Sequence, residues 1–159
     1  MNDLLVLDSL SEEDTDRFGR ILAESLSSGL VIALNGQPGS GKTRFVRSLC
    51  GALNVDTRQV NSPTFVLMQL YTDGRIPVAH FDTYRIGDTD EFLAIGAEEY
   101  LFSDDWLSLI EWAEQVTEIL PADRITVSIE QSSETSRRFV FSCGGEKSCR
   151  ILRHMRQLQ

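Results

Sequence analysis

The stretch that decides the fold is Leu30-Val31-Ile32-Ala33-Leu34-Asn35-Gly36-Gln37-Pro38-Gly39-Ser40-Gly41-Lys42-Thr43. It begins with a continuous apolar run, which is typical of a β-strand buried on both faces of a sheet. The glycine-rich turn that follows has the pattern GxxxxGK[ST]. Apolar residues then continue at helical spacing, namely Phe45, Val46, Leu49 and Leu53. The sequence therefore predicts a buried strand, a tight loop and a helix.

The glycine-rich turn has the chemistry of a phosphate-binding loop. Its glycines let successive backbone N–H groups point at phosphate oxygens, and the helix N-terminus adds its positive end. In such a loop Lys42 reaches the β- and γ-phosphates of a nucleotide, while the Thr43 hydroxyl binds Mg²⁺. Residue frequencies give about one accidental match per thousand chains of this length. The pattern therefore favours a phosphate cradle over a merely flexible loop.

Two acidic residues follow apolar segments elsewhere in the chain. Asp82 comes directly after the run Ile76–Phe81, and Glu111 comes after Leu107–Ile110. Ligands of a sheet with a parallel core bind outside the carboxyl ends of its strands, so we expect both acids near the loop. One of them would lie on the magnesium side of the phosphates. The alternative is that both are ordinary solvated acids at strand ends.

Other candidates carry weaker signals. Ser62-Pro63-Thr64 lies between the loop helix and a predicted hairpin, where a segment that senses the γ-phosphate would lie; alone it predicts only a turn. Arg85 and the pair Arg137-Arg138 are candidates for stabilising a transferred phosphate, but solvent-facing arginine is the favoured interpretation. Trp112 either lines the mouth of the site or packs in the core.

The rest of the pattern predicts strands mixed with helices, that is, an α/β sandwich. The predicted elements are an edge strand at Leu4–Leu7, a helix capped by Ser9 or Ser11 that ends at Ser28-Gly29, a hairpin around Thr72–Arg75, a helix over Glu91–Phe102, a short helix before Pro121, an antiparallel pair at Ile125–Ile129 and Phe139–Phe141, and a closing helix over Ser148–Leu158.

Composition and charge narrow the class of protein. The chain has 159 residues, 42% of them hydrophobic, which suits one domain spanning residues 1–159. Its 24 acidic residues against 15 Lys and Arg give a net charge of −9, which argues against direct, non-specific nucleic-acid binding. No apolar run approaches the roughly 20 residues of a membrane helix, and Met1-Asn2-Asp3 does not resemble a signal peptide. We therefore expect a cytoplasmic protein that contacts no membrane.

The cysteines and histidines do not predict a metal centre. Cys50, Cys143 and Cys149 form no CxxC pair, and His80 and His154 lie far apart. This spacing does not match that of zinc ligands. We expect reduced thiols, either buried or on the surface.

Four motifs together resemble a known family. They are Gly36–Thr43, Ser62-Pro63-Thr64-Phe65, His80-Phe81-Asp82-Thr83-Tyr84-Arg85 and Ile110-Glu111-Trp112. Their order and spacing are similar to those of the TsaE (YjeE) family, the ATPase component of bacterial tRNA threonylcarbamoyladenosine biosynthesis. The resemblance covers nearly the whole chain, including the N-terminal helix and Ala94–Tyr100. It implies an α/β fold, a P-loop NTPase-type three-layer sandwich with a mixed parallel/antiparallel sheet.

The resemblance also implies roles for individual residues. Thr43 and Glu111 would hold Mg²⁺, Asp82 would be an essential acid near the γ-phosphate, and Thr64 would act as a switch. Lys42 would serve both binding and catalysis. The implied ATP-binding residues are Gly36, Gly39, Ser40, Gly41, Lys42, Thr43, Arg44 and Glu12. The implied partners are TsaD and TsaB, which transfer the threonylcarbamoyl group to adenosine beside the anticodon, so that tRNA is contacted only through the complex. Hydrolysis would be weak alone and would reset that complex.

Two positions depart from the family pattern. Pro38 stands where an aliphatic residue is usual, and it removes one N–H early in the loop. Arg44 stands where a second threonine is usual, and it can alter contacts with the nucleotide or a partner. We expect both to tune the activity without abolishing it.

Alternative functions remain open at this stage. A small-molecule kinase would use the same loop but would need an arginine-rich lid and an acceptor pocket. A nucleotide-dependent interaction module would need binding without turnover. A GTPase is disfavoured because the sequence has no NKxD motif.

Overall fold

The computed structural model describes residues 3–61 and 67–159. This part of the chain contains seven β-strands: β1 (Leu4–Ser9), β2 (Val31–Asn35), β3 (Met68–Tyr71), β4 (Val78–Asp82), β5 (Leu107–Glu111), β6 (Arg124–Gln131) and β7 (Arg137–Cys143). It also contains five α-helices: α1 (Glu12–Glu24), α2 (Lys42–Ala52), α3 (Thr89–Ala94), α4 (Glu98–Leu101) and α5 (Glu146–Leu158).

The described strands form one sheet in the order β1-β7-β6-β2-β5-β4-β3. The four central strands, β6, β2, β5 and β4, are parallel, and β2 lies between β6 and β5. At one side β7 and β1 continue the sheet antiparallel, and at the other side β3 pairs antiparallel with β4. The mixed sheet and both predicted antiparallel pairs are confirmed. The parallel core brings the carboxyl ends of β2, β4 and β5 to one edge.

The central strand β2 is buried on both faces, as its unbroken apolar run predicts. Ile32 and Leu34 belong to a core formed with α1, α2 and α5, whereas Val31 and Ala33 belong to a second core with α3 and α4. Successive side chains of a strand point to opposite faces, so one run supplies both cores. The result is the expected three-layer α/β sandwich.

Helices α1 and α2 pack closely against each other beside the sheet. Ser11 caps α1 by accepting a hydrogen bond from the backbone of Asp14, which selects between the two predicted capping serines. A Cβ atom at Gly19 would lie only 2.7 Å from the Cβ of Ser48 and 2.9 Å from the backbone nitrogen of Leu49. Glycine at this position therefore permits the close approach of the two helices.

Three local predictions differ from the structure. The helix predicted over Glu91–Phe102 is two short helices, α3 and α4, because the chain turns at Gly96, whose φ is +89°. The helix predicted before Pro121 is a pair of 3₁₀ turns, Ala113–Gln115 and Thr117–Ile119. The first helix ends at Glu24 and does not reach Ser28.

The prediction of reduced thiols is wrong for two of the three cysteines. Cys143 and Cys149 form a disulfide, and their Cα atoms are 5.0 Å apart. Gly144 and Gly145 turn the chain between β7 and α5, which folds the first turns of the helix back against the strand end. Cys50 is a buried free thiol, as predicted, and burial raises its pKa to about 12.

The hydropathy of the helices bears on membrane contact. Within residues 3–61 and 67–159, each helix is too short or too polar to cross a bilayer.

Candidate active site

The glycine-rich loop joins the carboxyl end of β2 to the first turn of α2. Gly41 precedes the helix at φ +106°, a left-handed conformation that glycine adopts without strain, and Gly39 has φ +80°. The first backbone N–H groups of α2 have no partner within the helix and lie at the end of the loop. This is the arrangement that binds phosphate oxygens at a helix N-terminus.

Lys42 lies across the loop at the predicted position. Its Nζ donates hydrogen bonds to the backbone carbonyls of Gly36 and Gln37, the latter at 3.3 Å, and lies 4.2 Å from the ring centroid of Trp112. Burial lowers the pKa of Lys42, and the carboxylates of Glu111, Glu114 and Asp82 oppose that shift. The two carbonyls and the face of the Trp112 ring therefore position the ammonium group beside the loop, where it can bind an anion.

The two predicted acids lie side by side. Asp82 and Glu111 are register partners at the ends of the parallel strands β4 and β5, and both are buried. The Oε1 of Glu111 accepts a hydrogen bond from the Thr43 hydroxyl at 3.1 Å, and the Oδ1 of Asp82 accepts one from the backbone nitrogen of Tyr84 at 2.9 Å. The sheet therefore delivers both carboxylates to the loop, although they are 29 residues apart in sequence.

Two buried side chains behind Glu111 were not assigned a role by the sequence analysis. His80 Nε2 lies 2.6 Å from Glu111 Oε2, and His80 Nδ1 lies 2.9 Å from the hydroxyl of Tyr71. The signal was present in the strand period, because His80 precedes Asp82 by two residues on the same face of β4. In the sequence, His80 fits no zinc-ligand spacing and belongs to one of the four family motifs.

Trp112 lies at the mouth of the site. Its backbone is left-handed, with φ +61°, and Thr83 Oγ1 donates hydrogen bonds to the carbonyls of Glu111 and Trp112. The exposed ring of Tyr84 contacts the Trp112 ring at a centroid distance of 4.7 Å. Of the two alternatives for Trp112, the structure selects the site.

A cavity of about 460 Å³ joins these elements. Beside Pro38, its lining includes most of the predicted residues: Gly39, Ser40, Gly41, Lys42, Thr43, Arg44, Asp82 and Glu111. Gly36 contributes the carbonyl that Lys42 contacts. Thr64, with the rest of the Ser62-Pro63-Thr64 segment, lies outside the described residues, so its switch role stays a prediction.

A second cavity of about 360 Å³ adjoins the loop at Gly41. Glu12, Arg44 and Arg137 line it. Arg44 forms an ion pair with Glu12 and a bidentate pair with Asp16, in which the contacts to the Asp16 carboxylate measure 3.1 and 2.9 Å. Arg44, which stands where the family usually has a threonine, thus links α2 to α1 at the edge of this cavity.

The two neighbouring arginines behave differently from each other. Arg137 Nε donates a hydrogen bond to the carbonyl of Ser40 in the loop at 3.0 Å, so the expectation of a merely solvent-facing side chain is wrong for Arg137. Arg138 is exposed and forms an ion pair with Asp8 at 3.0 Å, so the expectation of a solvent-facing side chain is confirmed for Arg138. Arg85 is exposed.

The oxygen donors suit a magnesium ion that is shared with phosphates. Thr43 supplies a hydroxyl and Glu111 a carboxylate, whose oxygens are 3.1 Å apart. Among residues 3–61 and 67–159, no group of three or more His, Cys, Asp or Glu side chains forms a complete metal cage. Mg²⁺ commonly takes one or two protein oxygens and completes its shell with water and substrate phosphates. The residues present therefore fit Mg²⁺ bound together with a nucleotide.

The mixed sheet, the loop at the end of β2 and the adjacent acids define a P-loop protein of the α/β class. Comparison with known sequences identifies the family. The profile described as "Threonylcarbamoyl adenosine biosynthesis protein TsaE" matches residues 9–139. The chain belongs to the TsaE family.

Individual relatives agree with this assignment. The Bacillus subtilis protein named tRNA threonylcarbamoyladenosine biosynthesis protein TsaE is 34% identical over 139 residues, which are 87% of this chain and 85% of that protein. The Treponema pallidum protein of the same name is 35% identical over 129 residues, or 81% and 93% of the two chains. The crystal structure of Bacillus subtilis YdiB superposes with a TM-score of 0.84 at 26% identity, over 99% of this chain and 97% of that one.

Proposed function

We propose that this protein is a Mg²⁺-dependent ATPase that acts with TsaD and TsaB to form the threonylcarbamoyl modification on adenosine next to the anticodon of tRNA. The relatives bear the name of that biosynthetic process. The ATPase activity in this proposal is supported by one observation: the phosphate loop, Lys42 and the Thr43–Glu111 pair line the same cavity. The proposed location is the cytoplasm.

Each chain element has a defined task in this proposal. The N–H groups of the loop and the Lys42 ammonium bind and orient the phosphates. Thr43 and Glu111 hold the metal ion, which when bound neutralises charge on the phosphate oxygens. The buried carboxylate of Asp82 lies beside Glu111. It orients the attacking water or accepts a proton from it. The cavity lined by Glu12 and Arg44 takes the nucleoside end.

The cations of the site explain why turnover would depend on partners. Among the described residues that line the loop cavity, the positive side chains are Lys42 and Arg44, and Arg44 is already neutralised by Asp16 and Glu12. Stabilisation of a transferring phosphate usually needs a further positive charge or an ordered switch segment. A partner can supply either one. Slow hydrolysis in isolation is therefore expected.

The charge of the chain supports an indirect contact with tRNA. A net charge of −9 repels a phosphate backbone. In the proposed complex TsaD and TsaB hold the tRNA, while this subunit supplies nucleotide turnover.

Phosphate release tests the proposal. The purified chain, the TsaB–TsaD pair and their mixture are each incubated with ATP and Mg²⁺. We expect slow release by the chain alone and at least tenfold stimulation in the mixture, with Thr64→Ala binding ATP normally but losing most of the stimulation. Binding without any turnover in the mixture would indicate an interaction module. Transfer of the γ-phosphate to a small metabolite would indicate a kinase.

A further inference from the structure

We propose that His80 and Tyr71 are positioning residues that orient the Glu111 carboxylate toward the metal ion, and thereby set the metal affinity of the site. This inference rests on the proposed function, because it concerns the same magnesium-side acid. Neither residue reaches the loop cavity itself. Both act through Glu111.

The contacts form one continuous row, which is half-buried at Thr43 and buried from Glu111 to Tyr71. The Thr43 hydroxyl lies 3.1 Å from Glu111 Oε1, the other carboxylate oxygen lies 2.6 Å from His80 Nε2, and His80 Nδ1 lies 2.9 Å from the Tyr71 hydroxyl. His80 and Glu111 have 0% and 2% of their side chains exposed. The row crosses from α2 over β5 and β4 to β3, so three neighbouring strands hold it in place.

The chemistry of these groups decides which of them donates the hydrogen bond between His80 and Glu111. A carboxylate only accepts hydrogen bonds, so the proton between His80 and Glu111 belongs to Nε2. This bond occupies Oε2 and leaves Oε1 turned toward Thr43 and the loop. A Glu side chain has several rotamers, and holding one of them in advance removes an ordering cost when the metal ion binds.

Tyr71 fixes the imidazole in turn. Its hydroxyl contacts Nδ1, and the two rings lie 5.9 Å apart at 54°. Burial raises the pKa of Tyr71, and a backbone hydrogen bond from Asn61 acts against that rise. The hydroxyl therefore stays protonated, and its single proton can be donated to His80 Nδ1 at 2.9 Å or to Gln69 Oε1 at 3.2 Å. Partners of this kind behind a metal ligand are commonly worth ten- to a hundredfold in metal affinity or activity.

Four variants separate positioning from simple core stability. His80→Phe keeps the ring volume but removes both nitrogens, His80→Gln retains an N–H donor that can reach Glu111, and Tyr71→Phe removes only the hydroxyl. Val78→Ala is the matched control, because Val78 is buried on the same face of β4 and packs beside Tyr71 as its register partner, but its side chain has no hydrogen-bonding group. A merely structural histidine predicts equal metal affinity in all variants that remain folded.

The main readout is Mn²⁺ affinity of the protein–ADP complex, measured by electron paramagnetic resonance with protein in excess. ADP affinity in EDTA and the melting temperature are measured beside it. We expect His80→Phe to weaken Mn²⁺ binding at least tenfold and Tyr71→Phe about threefold. ADP affinity in EDTA should change less than twofold. His80→Gln should stay within threefold of wild type, and Val78→Ala should lower the melting temperature alone.

Several results would overturn the inference. Unchanged Mn²⁺ affinity in His80→Phe would do so, and so would equal weakening in Val78→Ala. If His80→Phe fails to fold, His80→Asn replaces it, because the Asn side chain is one methylene shorter than Gln and its amide extends less far toward Glu111. Equal Mn²⁺ affinity in His80→Asn and His80→Gln would then contradict the positioning role of His80. If the wild-type chain binds nucleotide and Mn²⁺ but substitutions of His80 leave Mn²⁺ affinity unchanged, only this inference is refuted. A wild-type chain that binds no nucleotide refutes the proposed function as well.

Discussion

Arg137 and Ser40 join two distant parts of the chain at the phosphate loop. The Nε of Arg137, at the start of β7, donates a hydrogen bond to the backbone carbonyl of Ser40 at 3.0 Å. The same guanidinium donates to the carbonyl of Ser136 at 3.1 Å, within the turn between β6 and β7. One charged side chain therefore braces the loop against a hairpin nearly one hundred residues further along.

Replacing Arg137 should loosen the loop. Arg137→Met keeps the length of the side chain and removes its donors, and we expect ATP affinity to fall about fivefold, or roughly 1 kcal/mol, which is typical of a hydrogen bond from a charged group. Isothermal titration calorimetry measures the change. Arg138→Met is the matched control because Arg138 only pairs with Asp8 at the surface, and equal losses in both variants would argue against a role for the Ser40 contact.

Lys42 should be indispensable for nucleotide binding. Lys42→Ala removes the cation held over the loop, and we expect at least a tenfold loss of ATP affinity by calorimetry. The other lysine of the chain offers a control, since the Lys147 ammonium group contacts the carbonyl of Gly29 far from the loop. Lys147→Ala should bind ATP normally. Undiminished binding by Lys42→Ala would remove the basis for the phosphate-loop assignment.

Glu111 should affect hydrolysis more than binding. Glu111→Gln removes the negative charge beside Thr43 while keeping the shape, and we expect Mg²⁺-dependent turnover to fall about a hundredfold with ATP affinity in EDTA within threefold. Phosphate release with the partners and calorimetry without metal give the two numbers. Glu114→Gln is the control, because it removes another acid that acts on Lys42, while Glu114 is exposed and lies outside the lining of the loop cavity. Parallel losses of binding and turnover would contradict a metal-side role.

Asp16 should stabilise the contact between α1 and α2 in a pH-dependent way. Burial opposes ionisation of this carboxyl, but hydrogen bonds from Arg44 and Ser48 outweigh it and lower its pKa. The stabilisation is therefore present above the ordinary carboxyl pKa and is lost as pH falls below about 4. We expect Asp16→Asn to lose about 1 kcal/mol at pH 7, a figure reduced for partial exposure, and a smaller amount at pH 3.

Urea denaturation of both proteins at the two pH values measures that difference. Glu24→Gln, an exposed change at the end of the same helix, should leave the stability unchanged at either pH. A difference between Asp16→Asn and wild type that stays constant from pH 7 to pH 3 would contradict the assigned ion pair.

The sequence by itself determined the elements whose causes are local. The strand–loop–helix unit at Leu30–Thr43 was predictable, because an apolar run, glycines and a helical period are contiguous in the chain. The acids Asp82 and Glu111 were predictable for a related reason, since each ends an apolar strand. The edge strand, the hairpins and the closing helix followed from alternation and turn residues.

Only the tertiary structure decided which side chains meet. The row from Thr43 through Glu111 and His80 to Tyr71 depends on β3, β4 and β5 lying side by side, and their order in the sheet is not a property of any local pattern. The contact of Arg137 with Ser40 and the disulfide between Cys143 and Cys149 also depend on packing. Residue types show what a side chain can bind, whereas distances across the sheet decide what it does bind.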